Sequence, residues 1–157
     1  MRVLAVASAG GHWIQLLRVS PAWEGLDCAY VTTNAGLERD LRNQNKPEQR
    51  FYVVPDANRS RKLHLLRQFA SVGWIVLRER PTVVISTGAS VGFFALVAAK
   101  FLGSRTVWLD SVANGEELSL SGKRAGRFAD LWLTQWPDLA KARTSRKDGP
   151  SYHGSVL

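Results

Sequence analysis

Short, continuously apolar runs alternate along this chain with segments whose apolar residues recur at helical spacing. Residues 3–7 form the first run and end in Ser8-Ala9-Gly10-Gly11-His12. Residues 13–19 follow with Ile14, Leu16 and Leu17 at helical spacing, and Pro21 ends that helix. Residues 27–32 predict a second strand, 34–45 a polar helix carrying Glu38, Arg39, Asp40 and Arg42, and 51–54 a third strand closed by Pro55. Residues 60–80 predict a long amphipathic helix, and 83–85 a fourth strand closed by Ser86-Thr87-Gly88-Ala89. Residues 91–101 are almost wholly apolar, so a buried helix is expected there. Residues 105–109 predict a fifth strand ending at Asp110, and 118–130 a basic, partly helical segment. Residues 131–134 predict a sixth strand, 138–143 a turn or two of helix, 144–151 a flexible basic loop, and 152–157 a last short strand.

Apolar strands alternating with helices are the signature of a parallel sheet covered on both faces. The expected fold is therefore α/β and Rossmann-like. The 157 residues fit one such domain, spanning 1–157.

Charge sharpens this picture. The net charge is +8 and the pI about 10.3, which points to an anionic partner: nucleic acid, anionic lipid or a phosphorylated substrate. Cys28 is the only cysteine, so no internal disulfide can form and a reducing compartment is the natural setting. Six Trp is a high count for this length, and Trp suits half-wet positions at an interface or membrane surface. No uncharged run approaches the roughly 20 residues of a membrane-spanning helix. The apolar N-terminus is interrupted at Gly10 and Gly11 and reads as a strand rather than a signal segment. A soluble or peripheral protein is expected.

In an open α/β sheet, ligands bind where strands end and helices begin. Two glycine turns stand at such points: Ser8-Ala9-Gly10-Gly11-His12, and Ser86-Thr87-Gly88-Ala89-Ser90. Each offers backbone N–H groups at a helix start, which suits phosphate or pyrophosphate; glycine also simply permits tight turns. The first turn has neither the Gly-x-Gly-x-x-Gly dinucleotide pattern nor the Gly-Lys-Ser/Thr of a P-loop. His12, at the mouth of the first helix, suits a general base or a phosphate ligand; a helix-capping or solvent-exposed His is the other reading, and its place directly after a glycine pair at a strand end favours function. Asp110 suits a base, a sugar-hydroxyl ligand or a group orienting His12, and equally a turn cap. Glu116 and Glu117 read as a solvated pair, and His64 and His153 as structural or surface residues. No cluster has metal-ligand spacing, so no metal and no cofactor are expected, and no nucleophile elbow marks a serine hydrolase.

The amphipathic segment has basic flanks (Arg59, Arg61, Lys62, Arg67, Arg78, Arg80) around an apolar, aromatic-rich face. Such a helix can lie in a lipid headgroup layer, with Arg61, Lys62, Leu65, Leu66, Phe69 and Trp74 as contacts; it can equally cover a sheet.

Taken in order, the motifs resemble a family. Ser8-x-Gly10-Gly11-His12, Ser86-Thr87-Gly88-Ala89, Asp110-Ser111, Ser119-Leu120-Ser121-Gly122-Lys123, Ala129-Asp130-Leu131, Thr134-Gln135-Trp136-Pro137-Asp138-Leu139 and Tyr152-His153-Gly154-Ser155-Val156-Leu157 are similar to those of PssD-like capsule and exopolysaccharide glycosyltransferase subunits. Those are relatives of the membrane-anchoring subunit of the dolichol-linked N-acetylglucosaminyltransferase, and the glycine-His turn is shared with MurG. The resemblance covers nearly the whole chain. It implies the acceptor-binding, N-terminal half of a GT-B glycosyltransferase, whose UDP-sugar is held by a second, PssE-like polypeptide. It implies a polyprenyl-pyrophosphate-linked sugar as acceptor, on the cytoplasmic face of the membrane. No RNA-binding motif matches and the Trp residues lack a stacking pattern, so no nucleic acid is expected as partner. On this reading His12 and Asp110 are the catalytic candidates. Ser8, Gly10, Gly11, Thr87, Gly88, Ala89 and Ser90 bind substrate. Two departures stand out: Asp110 occupies a position that is often Glu in the family, and in place of the N-terminal membrane anchor of the eukaryotic relatives, peripheral binding through the basic helix is expected here. A second reading from the same motifs is a non-catalytic membrane recruiter of a glycosyltransferase.

Overall fold

The computed structural model describes residues 1–43, 49–57, 61–140 and 149–156. Seven strands form one parallel sheet in the order β3-β2-β1-β4-β5-β6-β7. They are β1 (Arg2–Val6), β2 (Asp27–Thr32), β3 (Arg50–Val53), β4 (Val83–Ser86), β5 (Arg105–Leu109), β6 (Leu131–Thr134) and β7 (Ser151–Tyr152). The helices between them are α1 (Gly11–Val19), α2 (Glu38–Asn43), α3 (Lys62–Glu79), α4 (Ala89–Phe101), α5 (Leu120–Ala125) and α6 (Pro137–Ala140).

Period-two alternation in β1 explains the layers. Leu4 and Val6 point to one face, where they join Val72, Ile75 and Val76 of α3, Val91, Ala95 and Leu96 of α4, and Ala125 of α5. Val3, Ala5 and Ala7 point to the other, where they meet Trp13 and Leu16 of α1, Trp23, and Leu41 of α2. Helices therefore cover both faces, as the unbroken apolar strands require.

The order reverses at β1. The chain runs outward from β1 to β2 and β3, returns through α3, and continues on the other side through β4 to β7. β1 and β4 are direct neighbours, with Val6 opposite Ser86. Their carboxyl ends make the crevice where ligands of such sheets bind. Both glycine turns open into it.

Several expectations shift. The polar segment at 34–45 is a 3₁₀ turn (Ala35–Leu37) followed by α2, because the Asn34 side chain accepts from the Gly36 amide and starts a tighter turn. Residues 44 and 45, Arg59 and Ser60, 141–148 and Leu157 lie outside the described residues, so most of the basic loop expected at 144–151 does too. Within the described part, Ser151 belongs to β7 rather than to that loop. The buried helix expected at 91–101 is α4, and it is buried along one side only. Val91, Ala95, Leu96 and Ala99 are buried, but Phe101 is 83% exposed, because α3 and the sheet cover only part of the helix.

Candidate functional site

The crevice is built by two helix starts. Gly10 precedes α1 and Gly88 precedes α4, and neither helix has a side-chain cap on its first amides. The first N–H groups of a helix have no intrahelical partner, so two sets of donors face the same opening. Some nearby amides are already committed. Ala9 N–H donates to Thr33 Oγ1 at 3.1 Å, and Gly88 N–H to Ser86 Oγ at 3.2 Å.

His12 bridges the two turns. Its Nδ1 lies 2.9 Å from the carbonyl oxygen of Thr87, and the Thr87 hydroxyl donates to the His12 carbonyl at 2.7 Å. The imidazole lies over Gly88, whose φ is +145°; a Cβ there would stand 2.3 Å from His12 Cε1. Only glycine satisfies both the dihedral and the clearance. Ala89 follows with φ +64°, the left-handed region that costs a non-glycine residue about 1–2 kcal/mol. Strain of this kind concentrates at functional sites.

The half-buried His12 ring titrates below its ordinary range. Burial is the largest cause; the Thr87 carbonyl and the negative charge of Asp110 act in the opposite direction. The neutral ring must carry its proton on Nδ1 to donate to the Thr87 carbonyl, which leaves Nε2 as a proton acceptor.

Asp110 is deeply buried at 1% exposure, and its carboxylate faces its own loop. It accepts from Trp108 Nε1 (3.1 Å), Asn114 Nδ2 (3.3 Å), Ser119 N (3.0 Å) and Ser119 Oγ (2.7 Å). Gly122 leaves the space this needs, since a Cβ there would be 2.4 Å from Asp110 Oδ1. Among the described residues no hydrogen bond joins Asp110 to His12. The contact that orients the imidazole is the Thr87 carbonyl, and Asp110 folds the loop from Ser111 to the start of α5.

Sequence reading missed a buried amide pair behind the site. Gln15 Nε2 donates to Gly11 O and Ser111 Oγ, while its Oε1 accepts from Val112 N and Gln135 Nε2. Gln135 also donates to the Asp110 carbonyl and accepts from Val156 N. The pair ties α1, the loop after β5, the end of β6 and residue 156 together. The available signal was Gln15 itself, a polar residue between the buried Trp13 and Leu16.

Of the remaining site candidates, Ser8, Ala89 and Ser90 line a cavity of about 250 Å³ beside the two turns, together with Ala9, Thr33, Asp56, Ala57, Gln68 and Val91. Gly10 and Gly11 are exposed at the mouth of α1, and Thr87 and Gly88 are buried beneath His12. On α3, Arg61, Lys62, Leu66, Phe69 and Trp74 are exposed, whereas Leu65 is half-buried. Phe69 packs edge-on against Phe94 at 5.3 Å, and Arg78 lies 5.2 Å from the Trp74 ring. Glu116 and Glu117 are exposed, and Glu117 pairs with Lys123 at 2.8 Å. Among the described residues no helix is long and apolar enough to cross a membrane, and no group of three acidic, His or Cys side chains is placed to hold a metal.

The family described as "Oligosaccharide biosynthesis protein Alg14 like" matches residues 3–154. A mouse protein named UDP-N-acetylglucosamine transferase subunit ALG14 is 28% identical over 167 residues, covering 88% of this chain and 77% of its own. The protein of the same name from Yarrowia lipolytica is 24% identical, covering 99% and 81%. Among solved structures, MurG of Acinetobacter baumannii superposes with a TM-score of 0.69 at 19% identity, over 87% of this chain and 42% of MurG. A Staphylococcus aureus MnaA–UDP structure superposes with a TM-score of 0.74 at 13% identity, over 99% and 45%. These likenesses establish the fold, that of the N-terminal domain of a GT-B glycosyltransferase, and the chain spans less than half of either structure.

Proposed function

The chain belongs to the Alg14-like oligosaccharide biosynthesis family, and from that premise we propose that it is one subunit of a two-component, UDP-sugar-dependent glycosyltransferase. Its acceptor is a polyprenyl-pyrophosphate-linked sugar of capsule or exopolysaccharide synthesis. A second, PssE-like polypeptide holds the UDP-sugar. The observation that carries this reading is His12, locked between two helix starts that lack side-chain caps, in a domain with the fold of the N-terminal domain of MurG.

In this reading the free amides at Gly10, Gly11 and the start of α4 hold the pyrophosphate of the acceptor. His12 Nε2 takes the proton of the attacking hydroxyl. That hydroxyl oxygen bonds to the anomeric carbon of the donor, the bond from that carbon to the diphosphate breaks, and UDP leaves with the electron pair. Asp110 acts at one remove, as a positioning residue that holds the loop against α1. The exposed side of α3, with Arg61 and Lys62 at its start and Leu66, Phe69 and Trp74 along it, rests on the anionic inner surface of the cell membrane.

The same stripe favours a second reading, in which the chain recruits its partner to the membrane and contributes no reacting group. Transfer from UDP-sugar to a lipid-linked acceptor, assayed with each subunit alone and with both together, tests the architecture. Activity is expected only in the pair, and full turnover by this chain alone would overturn the proposal. His12→Ala in the active pair separates the two readings, because unchanged turnover leaves only recruitment.

A further inference from the structure

We infer that the cavity beside the two turns is the saccharide subsite of this acceptor site, taking one neutral sugar ring rather than a phosphate, with Asp56 and Ser90 as the groups that read its hydroxyls. The inference rests on the acceptor-binding reading above and deepens it. The cavity measures about 250 Å³, just below the roughly 300–1,000 Å³ of drug-sized ligand pockets, so it suits one ring and not an oligosaccharide or a lipid chain.

Its chemistry selects against an anion. The described lining residues carry one carboxylate, Asp56, and no Lys or Arg. A carboxylate repels phosphate but accepts strongly from hydroxyl groups. The amide that would best serve a phosphate here, Ala9 N–H, already donates to Thr33 Oγ1. Asp56 Oδ1 accepts from the Ala57 amide at 2.9 Å, which aims the exposed carboxylate and leaves its second oxygen without a partner among the described residues.

Ser90 is fixed from behind by Gln68. Gln68 is 1% exposed; its Nε2 donates to the Pro55 carbonyl at 2.8 Å, and its Oε1 accepts from Ser90 Oγ at 2.7 Å. With its proton committed to Gln68, Ser90 presents lone pairs to the cavity and accepts from a ligand hydroxyl. Two acceptors lining one small cavity suit a polyol. Ser8, Ala89 and Ser90 belong both to the cavity wall and to the turns around the free helix starts, so a ring here is continuous with a pyrophosphate there.

Amide chemical-shift mapping of the full chain tests this, with the 1-phosphates of N-acetylglucosamine, glucose and galactose, the corresponding free sugars, and inorganic pyrophosphate as separate probes. At least one sugar and its 1-phosphate are expected to shift Thr33, Asp56, Ala57 and Ser90. Pyrophosphate is expected to shift Gly10 to His12 and Gly88 to Ala89, leaving Asp56 and Ala57 unmoved. Asp56→Asn is expected to weaken the sugar response about tenfold and leave the pyrophosphate response unchanged. Pyrophosphate binding at the turns with no sugar moving the cavity residues would overturn the subsite and leave the acceptor face standing. Pyrophosphate moving Asp56 and Ala57 directly would overturn the subsite as well. No response to any probe would overturn both.

Discussion

His12 Nδ1 lies 2.9 Å from the carbonyl oxygen of Thr87, and Thr87 Oγ1 returns a 2.7 Å hydrogen bond to the carbonyl of His12. This reciprocal pair locks the end of β4 to the start of α1 across the switch point of the sheet. It fixes the tautomer of the imidazole, and through it the nitrogen that faces the crevice.

The pH dependence of His12 follows from its lowered pKa. The unfolded chain binds this proton more readily than the folded one. Stability from this site is therefore present above 6.5, the ordinary value, and declines as pH falls from 6.5 toward the folded pKa. Chemical denaturation from pH 7.5 to 5.5 should show that slope, and His12→Gln should flatten it. NMR titration of the imidazole should give a midpoint below 6.5. In the active pair the acid limb of turnover should also fall below 6.5, and His12→Ala should lower turnover by about 10²–10⁴-fold.

Gly88→Ala tests the clearance under the imidazole. The new methyl meets His12 Cε1 at 2.3 Å, and the backbone sits at φ +145°, so the ring must leave its position. Destabilisation of about 2–4 kcal/mol is expected from strain and overpacking together. Ala89→Gly should act the other way, stabilising by about 1 kcal/mol through release of its left-handed backbone. Urea melts of both variants decide the matter; equal midpoints would refute the assigned strain.

Asp110→Asn exchanges one of two acceptor oxygens for an NH₂ group among four donors from Trp108, Asn114 and Ser119. One buried donor is left facing another, at a cost of about 2–3 kcal/mol. Faster hydrogen exchange in the Ser111–Ser119 loop should accompany the loss. If Asp110 were instead a freely acting base, the variant would lose turnover with its stability intact.

The α3 surface gives a separable prediction. Leu66 and Trp74 are 62% and 56% exposed, so Leu66→Glu and Trp74→Glu should change the melting temperature little. Both should reduce sedimentation with vesicles containing anionic lipid. Unaltered vesicle binding by the double variant would remove α3 from the membrane contact.

The sequence alone determined the α/β class, the alternation of strands and helices and the two turns, because unbroken apolar strands, helical spacing and glycine placement are local signals; the order of the strands in the sheet it did not. The order of motifs from Ser8 to Leu157 also pointed to relatives of the dolichol-pathway N-acetylglucosaminyltransferase subunit, and the family match over residues 3–154 bears out that coarser likeness. What it left open about Asp110 depended on geometry, since a carboxylate after a strand looks the same whether it faces a ligand or a loop. Only the tertiary structure brought Val6 beside Ser86, joined His12 to a carbonyl 75 residues away, and gave Asp110 its donors from Trp108 of β5 and from Asn114 and Ser119 of the loop. It also set Asp56, Gln68 and Ser90 around one cavity. The physical reason is that hydrogen-bond partners and cavity walls are made by packing between elements distant in the chain, whereas periodicity records only which face of each element is dry.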